Sequence, residues 1–169
     1  MSTPQNEDEM RVKVREMIKD IQVAIMVTTT PEGRMHGRPM RAQKPDTDSK
    51  TLWFFTKEGS SKVDEIEADP RVLLGYSDTK SQDFVSIAGQ ARVVRDKDMN
   101  KKLWTEDLRT WLPEGPEGEG VALIAVEIEG AEYWDAVASN VAFAFGYAKA
   151  AMTGKAADTS ENAKVSFQH

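Results

Sequence analysis

Two hydrophobic periods alternate along the chain, and the switches between them divide it into elements. Met10, Val14, Met17, Ile18 and Ile21 recur at helical spacing and predict an amphipathic helix over 10–21. Residues 22–30 (QVAIMVTTT) are β-branched and apolar. Pro31, Glu32 and Gly33 then supply a turn, so the following run should fold back on that strand as a hairpin. A second hairpin is predicted from strands 34–44 and 51–56, joined by the turn 45–49 (PDTDS). The helix predicted over 61–68 stops before Asp69-Pro70, because the residue ahead of a proline avoids helical geometry.

Strands follow at 71–77 (RVLLGYS) and 84–95 (FVSIAGQARVVR), with Gly89 marking a bulge or bend. Met99, Leu103, Trp104, Leu108, Trp111 and Leu112 predict a second amphipathic helix, closed by Pro113 and the loop EGPEGEG. Residues 121–128 form an alternating apolar strand, 131–135 (AEYWD) a further short one and 143–152 a last one. These elements place one domain at 10–154, between a disordered N-terminal segment 1–9 and a flexible C-terminal tail 155–169. Seven or eight strands with little βαβ alternation point to a mainly β (α+β) fold, an antiparallel sheet closed into a barrel with helices at its margins.

Composition narrows the function classes. A chain of 169 residues can bury a sizeable core as one domain. The net charge of -6 argues against a nucleic-acid binder that relies on bulk electrostatics. No cysteine is present, which excludes disulfides and thiolate chemistry. The polar, acidic start and the absence of a long apolar run lead to the expectation of a cytoplasmic protein with no membrane span.

The candidate chemistry gathers between residues 34 and 62. Arg38 and Arg41 set guanidinium groups on one strand, Thr56 ends the next, and Ser60, Ser61 and Lys62 open the helix after it. Hydroxyls, the free N–H groups of a helix start and one or two cations make an anion pocket, most simply for a phosphate. Ser61 followed by Asp64 fits a capping signal equally well, so helix capping stands beside anion binding. A metal site is not expected, because His36 and His169 are the only histidines and the acidic residues are scattered. Nucleophilic catalysis has no motif, and no catalytic residue can be named. Trp53, Phe54 and Phe55, with Tyr133 and Trp134, are read as core or as contacts to a planar aromatic ligand.

With those residues in place, the chain resembles the pyridoxamine 5'-phosphate oxidase-like split-barrel flavoproteins, most closely their general stress protein branch. The likeness runs through MIKDIQVAIMVTTTPEGRMHGRPM, LWFFTKEGSSKVDEIEADPRVLLGYSD, FVSIAGQARVV, LRTWLPEGPEG, AEYWD and FGYAKAAMTG. The resemblance implies a six-stranded Greek-key split barrel with flanking helices. It also implies a homodimer with flavin mononucleotide (FMN) in a groove between the subunits; the dinucleotide (FAD) is compatible with the same residues.

By the same resemblance, the strand Arg38, Pro39, Met40, Arg41, Ala42 and Gln43 lines the flavin, with Arg38 directed at the phosphate. Phe55 and Thr56 match the family's strand end, Ser61 and Lys62 its basic pair, and Trp134 its tryptophan near the ring or the partner edge. Two departures argue against pyridoxine-phosphate oxidation. Gln43 stands where the vitamin-B6 oxidases carry lysine, and the stretch 135–149 (DAVASNVAFAFGYAK) has no arginine or histidine. What is expected is therefore a flavin-dependent oxidoreductase of unassigned substrate, with a reduced nicotinamide compatible as donor. The alternative is a non-catalytic flavin store or stress sensor. Haem or a deazaflavin remains a third occupant of such a barrel.

Overall fold

The computed structural model describes residues 7–43, 50–135 and 162–167 and the single positions 147, 151, 152 and 154. Helix α1 (Glu7–Ile21) starts before its apolar stripe, because Glu7, Asp8 and Glu9 place carboxylates in the first turn, where free N–H groups favour negative charge. Residues 7–9 of the expected disordered lead-in are therefore helical; residues 1–6 lie outside the described residues. Val14, Met17 and Ile18 form the buried face of α1. Gln22, with a left-handed φ of 70°, then turns the chain into β1 (Val23–Thr29).

The first predicted hairpin is present. Gly33 takes φ 78°, and its N–H donates to Thr30 O at 2.8 Å. A residue without Cβ reaches this conformation at no steric cost. The turn delivers β2 (Met35–Arg41) onto β1, in register from Val23↔Arg41 to Thr29↔Met35.

The second predicted hairpin is not. The remaining elements are β3 (Thr51–Lys57), α2 (Ser61–Ala68), β4 (Arg71–Asp78), β5 (Asp83–Val94), α3 (Lys97–Leu103), β6 (Val121–Trp134) and β7 (Asn162–Ser166). The sheet runs β2-β1-β4-β5-β6-β3, with β7 added to β6, and every pairing is antiparallel. Strands β2 and β3 thus stand at the two ends of the path. They touch at the single bridge Ala42↔Phe54, reinforced by the Gln43 N–H donating to Trp53 O at 2.8 Å. The reason is competition for partners. The tight turn at Gly33 commits β2 to β1. Strand β3, apolar on both faces, lies along β6, which is covered on both faces too. The expected linking turn at 45–49 lies outside the described residues. The sheet curls round until its ends meet at one corner, an antiparallel split barrel.

Its interior is filled by the inward row of each strand, Ala24 and Met26, Leu74 and Tyr76, Val85 and Ile87, Ile124 and Val126, and is capped by α1. A second cluster lies outside β6, where Phe55, Leu123 and Val121 meet Leu108 and Leu112. The helix predicted over 99–112 is broken to build that cluster. Helix α3 ends at Trp104, whose backbone is extended, and a 3-10 turn follows at Glu106–Thr110. The break sets the Trp104 ring edge-on against Phe55, with centroids 5.4 Å apart.

Gly89 behaves as predicted. The β5–β6 register slips between Ala88 and Gly89, and a Cβ on Gly89 would stand 2.4 Å from Glu127 O. The strands expected at 121–128 and 131–135 are one strand, β6, continuing through that irregularity.

Two expectations for the C-terminal part are corrected. Within the strand predicted at 143–152, the described residues Tyr147, Ala151 and Met152 have helical backbone; its other residues lie outside the described set. The tail expected to be flexible over 155–169 contributes β7, which pairs with β6 from Gly130↔Ser166 to Trp134↔Asn162. Val165 and Phe167 are buried in the main core. No helix among the described residues is long and apolar enough to cross a membrane.

Candidate anion-binding site

Register decides which residues of β2 face the barrel. Arg38 lies opposite Met26 and Met40 opposite Ala24, both on the inner row, whereas Pro39 and Arg41 lie opposite the exposed Ile25 and Val23. Helix α2 crosses the open end of this row and sends Glu65 into it. Arg38 Nη2 donates to Glu65 Oε2 at 2.6 Å, and Arg38 Nη1 donates to Thr28 Oγ1. Thr28 in turn donates its hydroxyl proton to Glu65 Oε2. His36 Nδ1 stands 2.6 Å from Arg38 Nη2 and 3.1 Å from Glu65 Oε1. Glu65 is only 5% exposed. Burial opposes its charge, but the hydrogen bonds from Thr28, His36 and Arg38 outweigh that cost and hold its pKa at about 2.

Lys62 lies one turn before Glu65 on α2 and is half-buried. It has no hydrogen bond or ion pair among the described residues. Burial lowers its pKa, and the nearby charges of Arg38 and Lys57 lower it further, against the pull of Glu65. A lysine in this position sits in a net positive field and would gain from an anion.

The start of α2 adds donors. Its N-cap residue, Ser60, makes no side-chain cap, so the capping reading of the serines is not what this helix shows. The Ser60 hydroxyl instead donates to Lys57 O at 2.8 Å and lies 3.1 Å from Thr56 Oγ1. Thr56 is buried and Ser61, in the first turn, is exposed. Uncapped first-turn N–H groups beside hydroxyls and Lys62 have the donor chemistry a phosphate needs. Lys57 and Ser60 also border a cleft of about 410 Å³, closed on the far side by Leu112, Pro113, Glu114 and Val121.

The structure therefore gathers Arg38 and Lys62 at α2, with Thr56 and Ser61 at the same helix start. It does not gather the rest of the predicted set around them. Arg41 pairs with Asp107 at 3.3 Å and reaches Gln22 Oε1 at 3.2 Å. Met40 packs against the core, and Phe55 faces the outer cluster with Trp104. Gln43 is buried where β2 meets β3. Trp134 stands opposite Phe84 near the far end of β6, whereas Thr56 pairs with Ala122 near its start. The two are separated by roughly 40 Å of extended chain.

Sequence reading missed Thr28 and Glu65. One signal for Glu65 was available: it falls in the buried stripe of α2 with Val63 and Ile66, and a carboxylate in such a stripe needs a cation.

The outer row of the same strands is apolar and open. Val23, Ile25, Leu73 and Phe84 are exposed there, Ile25 by 47% and Leu73 by 44%, and Met35 by 85% at its edge.

Comparison with known proteins agrees with this architecture. General stress protein 26 of Bacillus subtilis is 27% identical over 127 residues, which cover 73% of this chain and 87% of that protein. A candidate general stress protein 26 from Jannaschia sp. CCS1 superposes with a TM-score of 0.72 at 20% identity, covering 94% of this chain and 99% of that one. The general stress FMN/FAD binding protein of Xanthomonas citri superposes with a TM-score of 0.66 at 25% identity, covering 75% and 89%. The model of the family described as pyridoxamine 5'-phosphate oxidase like matches residues 8–158, nearly the whole chain, and the protein belongs to that family.

Proposed function

We propose that the protein binds a flavin, FMN in the first place, with its phosphate at the start of α2, and that it works as a homodimer. The observation that carries this reading is Lys62, a half-buried cation in the field of Arg38 and Lys57, without a counter-ion among the described residues. The terminal phosphate of FMN is a dianionic monoester and suits such a site better than the bridging phosphates of a dinucleotide. The flavin-binding relative from Xanthomonas citri supports the same ligand class.

Two features support dimerisation. The apolar outer row across β1, β4 and β5 needs a cover, and a second copy supplies one of the same character. Trp134 and the start of α2 occupy opposite ends of β6, so a tryptophan near the flavin ring would come from the second copy.

When bound, the flavin supplies hydride or electron transfer. The chain contributes phosphate binding through Lys62, Ser61 and Thr56, and orientation through β2. The function proposed is a flavin-dependent oxidoreductase related to the general stress proteins, with a reduced nicotinamide as a compatible donor. The second reading, a flavin store or sensor without turnover, is favoured by the arrangement of Arg38, which is held by its own chain rather than presented to a ligand.

The test is to titrate the purified protein with FMN at equilibrium, following the flavin spectrum, and then to follow bleaching with a reduced nicotinamide. A saturable spectral change supports the binding site, and its absence overturns it. Bleaching no faster than that of free flavin removes the enzyme reading and leaves the store or sensor.

A further inference from the structure

An arginine has five N–H donors, and its two flat forks, Nε with Nη2 and Nη1 with Nη2, share the Nη2 nitrogen. In Arg38 one Nη2 hydrogen is held by Glu65 Oε2 at 2.6 Å, and His36 Nδ1 stands against the same nitrogen at 2.6 Å. Nη1 spends one hydrogen on Thr28. A two-bond grip on a phosphate must therefore take Nη2 away from Glu65 or His36. If Glu65 is the one displaced, its carboxylate stays buried beneath α2 and keeps its charge without its arginine partner. A phosphate grip through the fork that Glu65 occupies and the Glu65 pair exclude each other. Lys62 carries no such prior commitment among the described residues.

We propose that Glu65 competes with the flavin phosphate for Arg38, so that the flavin is held mainly through Lys62 and exchanges with solution instead of staying as a fixed prosthetic group. This rests on the flavin-phosphate site proposed above. It makes Glu65 a residue that sets affinity from behind the site, through Arg38, without itself touching the ligand. An exchangeable flavin fits a protein that takes flavin as a co-substrate or cargo.

Fluorescence titrations with FMN and with riboflavin, which lacks the phosphate, separate the possibilities. Glu65→Gln is expected to tighten FMN about tenfold, the equivalent of one charge-assisted hydrogen bond, and to leave riboflavin unchanged. In the Arg38→Met background the same substitution is expected to give no gain, because the freed arginine is gone. A folded Glu65→Gln protein with unchanged or weaker FMN binding overturns the proposal, as does an equal gain without Arg38. Should Glu65→Gln alone fail to fold, the Arg38→Met/Glu65→Gln protein, which leaves no unpaired buried charge, decides. FMN affinity within about threefold of wild type supports competition, and a loss beyond about tenfold shows that Arg38 grips the phosphate after all. A wild-type chain that binds both flavins equally retires the phosphate site itself, and the Glu65 proposal with it.

Discussion

Arg38 and Glu65, 27 residues apart in sequence, meet at 2.6 Å between β2 and α2, in a pocket closed by Thr28 and His36. Paired and hydrogen-bonded, the two charges hold the open end of the barrel together. Separated, either one is a largely buried ion without its counter-charge.

The pair makes stability depend on acid. Glu65 has a folded pKa of about 2 against 4.5 for the free side chain, so the unfolded chain takes up a proton that the folded chain refuses. Its contribution is fully present above the unfolded value and is lost as pH falls from there through the folded one. The total is on the order of 3 kcal/mol. Urea unfolding from neutral pH down to about pH 2 should show a steep loss in the lower part of that range, and Glu65→Gln should flatten it. A wild-type curve as flat as the variant's would remove the assignment.

Lys62 works in the opposite sense. Its pKa is lowered by burial, then by Arg38 and Lys57, so at neutral pH the folded state holds this charge at a cost. Lys62→Met should therefore raise the melting temperature of the flavin-free protein while weakening FMN by about tenfold or more and sparing riboflavin. Stability and ligand affinity moving apart in one variant is the signature of a residue kept for binding. A substitution that lowered both together would mark Lys62 as structural.

What the sequence showed of this molecule follows from how local each interaction is. The hairpin at Gly33 and the bulge at Gly89 depend on backbone conformation within a few residues, and both were legible. The pairing of β3 with β6 joins residues some seventy positions apart, from Thr51↔Glu127 to Lys57↔Val121, and adjacency in sequence suggested the wrong partner. Arg38 and Lys62 stood out by their charge and by family likeness. Glu65 looked like one more acidic residue on a helix, because its importance lies in what the barrel brings against it.

The outer row of the sheet gives a prediction about assembly. Ile25 and Leu73 lie on neighbouring strands, nearly half exposed, so a charge at either position costs the isolated chain little. Between two copies the same charge would be buried without a partner. Ile25→Glu and Leu73→Glu are each expected to convert a dimer to a monomer in sedimentation or light scattering, with far-ultraviolet circular dichroism unchanged. FMN affinity should fall with dimerisation if the second copy completes the site. A monomeric wild-type protein would refute the interface.

Phe167 tests whether the last strand belongs to the fold. A run of polar residues precedes it, yet β7 pairs with the end of β6 and sets the Phe167 ring at 2% exposure against α1. Arg11 and Arg15 stand over that ring at 5.5 and 5.9 Å, and the Arg11 guanidinium also donates to Ser166 O at 2.8 Å. Helix α1, β6 and β7 are thus joined through one aromatic side chain and one backbone carbonyl. Phe167→Ala should cost about 3–5 kcal/mol, the range for emptying a buried aromatic site, with the cation–π contacts included in the loss. Phe167→Leu keeps most of the volume and loses the ring face, so it should recover most of that stability. Denaturant midpoints of the two variants measure the difference. If Phe167→Ala unfolds at the wild-type midpoint, β7 is dispensable and the domain ends with β6.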